Sequence, residues 1–419
     1  MEVNLSENLK KQVIYEIRKN VELLILKYER NSIKKEEYDE ILFFCSELLN
    51  QKLLEEYEED IKEIVIYILS DFKCDIYEKK YDNFKFIGMF KGIGSIAFSI
   101  NNIHKKYNNF KNFSKFFDEM FIMYSKSYFK TLINKPLTLI DYDVIHGVSG
   151  ILYYLLDYVD REHDQVIIEL IQYLINLTED KEYKGFKVIN FHIEKEQQFL
   201  DVEKMEQPDG HVNFGFSHGM MGPLIVLSKA RYLKYNIKGL DEAIKILRKL
   251  YEKFLIIDDG VLKYPTQLPF KYYINNEFAN GSFNAGWCYG NTGIVRGLMK
   301  TASYLYLEDE YYYYKEELLK IINQPIEKYN FNETILCHGY ASIVEIQISA
   351  YKETKDKRFL DTLERNLLKL IKEHNKSIQN KENKHEEDFS LLEGIGGITL
   401  TLLNAITLDL TFNKILMID

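Results

Sequence analysis

The chain has 419 residues, 46% apolar and 28% charged, with only 6 prolines and 21 glycines; this excludes disordered, collagen-like and low-complexity classes and leaves an ordered globular protein with a sizeable core. Lysines and arginines number 54 against 64 aspartates and glutamates, a formal net charge of −10, which argues against a nucleic-acid binder that gains affinity by neutralising phosphates. The 4 cysteines are too few and too scattered to staple a chain of this size.

Residues 1–20 alternate charged and apolar side chains, with no apolar block or small-residue cleavage site. The longest apolar stretches, such as 64–69, fall far short of the roughly 20 residues of a spanning helix. A cytoplasmic protein without a membrane-inserted segment is expected. Residues 9–27 and 36–49 read as a helical pair, and Cys45 and Cys74, with no site-like neighbours, as inert packing.

From residue 92 onward one short pattern recurs: glycine, two residues, glycine or serine, then an aliphatic residue or proline opening an apolar run. Its occurrences are Gly92-Ile-Gly-Ser-Ile, Gly147-Val-Ser-Gly-Ile, Gly219-Met-Met-Gly-Pro, Gly290-Asn-Thr-Gly-Ile, Gly339-Tyr-Ala-Ser-Ile and Gly394-Ile-Gly-Gly-Ile. The mean spacing of about 60 residues suits a helical hairpin per repeat. Segments between motifs, such as 362–372, are amphipathic and predict outer helices, whereas the apolar runs after each motif predict inner helices buried on several sides. The glycines then lie at inner-helix N-termini, where a missing Cβ permits close packing and unusual dihedrals. With the N-terminal pair the count reaches about seven hairpins; the spacing alone leaves both a closed toroid and an open solenoid. Residues 183–193 are aromatic and β-branched and predict a small strand insertion within about 183–213, while 258–286 reads as a long loop.

Chemistry-bearing residues precede the glycines in phase with the repeat: Asp143 before Gly147, His218 before Gly219, Trp287, Cys288 and Tyr289 before Gly290, Cys337 and His338 before Gly339. Equivalent repeat positions lie at the same end of a structure, so these side chains are expected at one rim. Cys288, Cys337 and His338 have the composition of a three-ligand zinc site with an open fourth position, and thiolates favour zinc over magnesium or calcium. Without a Cys-x-x-Cys element, buried structural cysteines remain the alternative.

Asp143-Val-Ile-His-Gly-Val-Ser-Gly, Phe214-Gly-Phe-Ser-His-Gly-Met-Met-Gly-Pro, Gly286-Trp-Cys-Tyr-Gly-Asn-Thr-Gly, Cys337-His-Gly and Leu391-Leu-Glu-Gly-Ile-Gly-Gly-Ile together resemble the lanthionine synthetase C-like proteins, the stand-alone cyclases of lantibiotic biosynthesis. The resemblance runs through most of the chain and implies an all-α fold, an α/α toroid formed by residues 1–419 as a single cyclase domain. It implies Zn2+ held by Cys288, Cys337 and His338, His218 as the acid/base histidine, and Asp143 and Tyr289 as the active-site aspartate and tyrosine. Two positions depart from the pattern: Asn284 stands where many members carry arginine, and Ser342 replaces a glycine, a change expected to affect packing only.

The reaction implied adds a peptide cysteine thiol across dehydroalanine or dehydrobutyrine in the same precursor peptide, giving a (methyl)lanthionine thioether. A free thiol is mostly protonated at neutral pH, and metal coordination deprotonates it; a near-neutral histidine suits delivery of a proton to the resulting enolate, with Asp143 orienting it. The implied partners are the dehydrated precursor peptide, a dehydratase and a membrane exporter, so any membrane association would come through partners. A thiol-adding relative that uses glutathione and a non-catalytic precursor-binding scaffold are the alternatives; a zinc prenyltransferase fits poorly, lacking these motifs. His146 is expected to be an exposed helix-start residue, and His104, His163, His192, His211, His374 and His385 to be solvated. Trp287 could line the pocket or pack the core, the tyrosines at 311–314 should pack an outer helix, and 381–388 reads as a solvated charge run.

Overall fold

A computed structural model describes residues 3, 5–80, 84–159, 163–278, 284–379 and 387–419; most of the charge run at 381–388, residues 279–283 of the expected loop, and His385 lie outside the described residues. By its contacts the chain divides into two compact units, residues 1–121, 331–414 and 419 in one and 122–330 and 415–418 in the other.

In the first unit four buried helices pack in succession: Tyr340–Thr354 on Ile395–Thr407, that on Tyr38–Leu48, and that on Ile93–Tyr107. In Ile395–Thr407 every residue from Ile395 to Ala405 is buried. Amphipathic helices cover them: Glu7–Glu29 buries Leu9, Val13, Ile17, Val21 and Leu24, a stripe at helical spacing. In the second unit the buried helices are Val148–Tyr158, Met221–Tyr232 and Asn291–Tyr304, flanked by Asp164–Asn176, Leu240–Lys253 and Glu308–Asn323. The tyrosine run lies on this last helix, with Tyr314 buried and Tyr312 and Tyr313 exposed, as expected of an outer position. The two units together hold seven buried helices among the described residues, and the one without a glycine motif, Tyr38–Leu48, comes from the N-terminal pair. Three buried hydroxyls are satisfied within their own helices: Ser99, Ser228 and Thr399 donate to carbonyls four residues back.

The motif glycines do stand at helix starts, and five of the six are the N-cap residue itself, Gly219 lying one position before the cap Met220. In five repeats the N–H after the glycine reaches a carbonyl seven residues earlier: Ile93 to Phe86, Met220 to Asn213, Asn291 to Asn284, Tyr340 to Glu333 and Ile395 to Asp388, at 2.8–3.2 Å. The loop thus closes tightly on the glycine. A Cβ on Gly290 would sit 2.1 Å from the Gly286 nitrogen, and among the six motif glycines only Gly92, at φ 104°, has a positive φ. Close approach, rather than unusual dihedrals, is what requires glycine at the other positions.

A hairpin of Asp180–Tyr183 and Phe186–Ile189, turning on Lys184 and Gly185, both at positive φ, overlaps the start of the stretch expected to form a strand insertion. A third short strand, His211–Asn213, pairs antiparallel with Gln267–Pro269. The stretch at 258–286 is not one long loop: Ile256–Asp258 and Val261–Lys263 form a second hairpin around Asp259-Gly260, and a short helix, Phe270–Asn275, follows. Asp-Gly between two β-branched runs is the local signal for that hairpin.

Candidate functional site

Three consecutive pre-helix loops of the second unit are joined by main-chain hydrogen bonds. Val144 N–H donates to the Ser217 carbonyl at 2.9 Å, and the N–H groups of Phe216 and Ser217 donate to the Cys288 carbonyl at 2.7 and 3.1 Å. This ladder brings residues 143, 218 and 289 together although 146 positions separate the first from the last.

Asp143 is fully buried. One carboxylate oxygen accepts from the N–H groups of His146 and Gly147, at 2.7 and 2.6 Å, and the other lies 2.6 Å from His218 Nδ1. An ionised carboxylate can only accept, so Nδ1 carries the proton and Nε2 is the basic nitrogen of the neutral ring. The His218 side chain is 21% exposed, which leaves the ring within reach of solvent.

Tyr289 stands beside that imidazole, ring centroids 6.0 Å apart. Burial pushes its hydroxyl well above the usual phenol range, opposed by a hydrogen bond from Asn213, whose amide donates at 3.4 Å. Tyr289 is therefore a neutral hydroxyl at ordinary pH. The sequence reading passed over Asn213, which also accepts the Gly215 N–H at 2.9 Å. Its signal is the position six residues before the motif glycine, occupied by Asn213, Asn284 and Asp388 in three repeats. Each of these side chains accepts the N–H two residues on, Asn284 from Gly286 at 2.8 Å and Asp388 from Ser390 at 2.8 Å, the Asx turn that asparagine and aspartate favour. Asn284 thus builds the loop ahead of Cys288.

Cys288 is buried in the second unit; Cys337 and His338, in the first, are half-buried and directly precede Gly339, the N-cap of Tyr340–Thr354. Cys337 N–H donates to the Leu392 carbonyl at 3.0 Å, a link of the same kind between neighbouring pre-helix loops. The Ser342 hydroxyl is buried and satisfied on the Gly339 carbonyl at 2.7 Å, in keeping with a packing role.

Other expectations divide. Trp287 packs rather than lines a pocket: it is buried, rests against Phe216, and its indole N–H donates to the Leu416 carbonyl at 3.1 Å. His146 is exposed as expected and lends Asp143 its main-chain N–H. Cys45 is a buried thiol whose pKa burial pushes up, whereas Cys74 is exposed and packs no core. His192, His211 and His374 are buried, not solvated; His192 bonds the Asp209 carbonyl and sits tilted against Tyr183 and Phe270, and His211 bonds Gln198. The insertion has a small core of its own, which alternation in a short segment does not disclose.

Comparison with known proteins bears on these features. Residues 41–417 match the family model for lanthionine synthetase C-like protein. The nisin biosynthesis protein NisC of Lactococcus lactis subsp. lactis is 28% identical over 409 residues, covering 92% of this chain and 91% of its own length. The solved structure of a nisin cyclase matches with a TM-score of 0.78 at 23% identity, covering 96% of this chain and 97% of that one. That likeness establishes the fold, an α/α toroid.

Proposed function

The chain belongs to the lanthionine synthetase C-like family, and from that premise we propose that it is a zinc-dependent peptide cyclase, adding cysteine thiols to dehydroalanine or dehydrobutyrine within a lantibiotic precursor. It acts on the dehydrated peptide, in company with a dehydratase and an exporter. Among the described residues no helix is long and apolar enough to cross a membrane. The observation that carries the reading is the His218 ring, partly open to solvent and held at 2.6 Å by the buried Asp143.

The chemistry of the donor set fits zinc: Cys288, Cys337 and His338 each offer one ligand atom, two soft sulfurs and an imidazole nitrogen, and three protein ligands leave a position for substrate. Bound there, zinc supplies a Lewis-acid centre that keeps a substrate thiol ionised near neutral pH. His218 Nε2 takes the proton that the thiol gives up on ionisation; sulfur then bonds to the β-carbon and the alkene pair moves toward the carbonyl oxygen. The same nitrogen then returns the proton to the α-carbon, so addition is complete with no proton gained or lost. Asp143, acting through His218, is a positioning residue that holds Nδ1–H and stabilises the imidazolium. The neutral Tyr289 hydroxyl donates to the enolate oxygen.

The test is to measure bound metal by mass spectrometry together with loss of free thiol from a dehydrated Ser/Cys peptide. Wild type should hold about one zinc per chain and consume thiol, and Cys337→Ala should do neither. A metal-free wild type that binds peptide without consuming thiol would make the chain a scaffold.

A further inference from the structure

The segment that follows Gln198 is held to the molecule by two polar side chains. Gln198 is buried, donates to the Gln207 carbonyl at 3.0 Å and meets His211, while the half-buried Glu203 accepts from Leu200 N–H and from Gln267 at 3.1 and 2.8 Å; Asp201 and Glu206 are exposed. Its apolar side chains face outward, Phe199, Leu200, Val202 and Met205 being 51, 56, 47 and 75% exposed. Isolated exposed apolar residues need no explanation, but four on one short, polar-anchored segment, Asp201–Glu206 and the two residues before it, mark a surface made to be covered.

The shelf is continuous with the candidate active site. The Phe199 ring meets His218 edge to face, centroids 5.8 Å apart at 72°, so Phe199 and Tyr289 both neighbour the imidazole. Anything resting on the shelf is thereby brought within reach of His218 Nε2.

We propose that Phe199, Leu200, Val202 and Met205 form the docking shelf for apolar side chains of the dehydrated peptide, with Phe199 the positioning residue that sets the dehydrated residue against His218. This rests on the cyclase reading above. Dehydroalanine and dehydrobutyrine are flat, uncharged and apolar, and an aromatic wall suits them. A second copy of the chain on the same surface would instead obstruct the histidine.

The test uses the zinc-loaded full chain and a fluorescein-labelled dehydrated Ser/Cys peptide, with Kd from anisotropy and KM, kcat and their pH profile from thiol loss. Phe199→Ala should raise Kd and KM about tenfold and Met205→Ala about threefold, with the pH profile of kcat and the zinc content unchanged; Phe199→Leu should recover part of the loss. Both side chains are at least half exposed, so thermal midpoints should stay near wild type. Unchanged Kd and KM with a shifted kcat profile would reduce Phe199 to a prop for His218 and overturn the shelf. So would a wild-type dimer that Met205→Glu dissociates while peptide affinity holds. A wild type that neither binds nor cyclises the peptide overturns the cyclase reading itself, whereas a fully active wild type with indistinguishable variants overturns the shelf alone.

Discussion

Asp143 performs two tasks with its two oxygens, and substitution can separate them. Asp143→Asn keeps an oxygen for the His146 and Gly147 N–H groups but turns an amide donor toward His218 Nδ1, forcing the wrong tautomer. Cyclisation should fall by about 10²–10⁴ while the melting temperature stays close to wild type. Asp143→Ala should lose activity and stability together, because the buried Gly147 N–H loses its acceptor at about 1–3 kcal/mol and the part-buried His146 N–H loses its own; calorimetry beside the thiol assay distinguishes the two. Asp143, His218 and Tyr289 were legible as residues because they stand in phase with the glycines. Asn213 was not, since its role depends on the Tyr289 hydroxyl, 76 positions away, coming within 3.4 Å.

The unit that repeats is a closed loop leading into a buried helix. Its closure predicts a graded response at one junction. Asn284→Ala should cost about 1 kcal/mol and Asn284→Asp almost nothing, because the carboxylate still accepts the Gly286 N–H. Asn284→Arg should cost as much as alanine, since guanidinium has no acceptor to offer. Gly290→Ala should cost about 3 kcal/mol or more, its Cβ falling 2.1 Å from the Gly286 nitrogen. Urea midpoints rank the four. Glycine spacing and apolar runs announced these elements in the sequence, and amphipathic stripes announced their covers. The hairpin at 256–263 was missed despite Asp259-Gly260, because prolines and asparagines further along suggested a loop.

Buried titratable groups of opposite sign bound the stability of the molecule on both sides of neutrality. Burial lowers the imidazoles of His192, His211 and His374 to about 4. The unfolded chain then binds more protons between about pH 6.5 and 4, so their contribution is complete above 6.5 and is lost as pH falls toward 4. Burial raises Glu40 to about 7 and Glu345 to about 8; here the folded chain holds the extra protons, and stability is lost as pH rises from about 4.5 to those values. Where the two windows overlap, three histidines outweigh two glutamates, so these groups place the stability maximum near about pH 6.5. His374→Leu should gain relative to wild type as pH falls below 6.5, and Glu345→Gln as pH rises above 4.5, each at up to ~1.4 kcal/mol per pH unit. Thermal melts of the three proteins from pH 4 to 9 measure it, and parallel curves would refute the assignment.

What the sequence by itself determined is whatever depends on local periodicity and on backbone clearance: the buried and covering helices, the glycine junctions, and the rank of residues carried on them. Such features are encoded within a turn or two of chain. The tertiary structure decided the rest. It made Trp287 a packing residue against the Leu416 carbonyl, buried three histidines and left the apolar side chains of Asp201–Glu206 exposed. Each of those outcomes depends on which distant segment occupies the neighbouring space, and that is settled only when the repeats pack together.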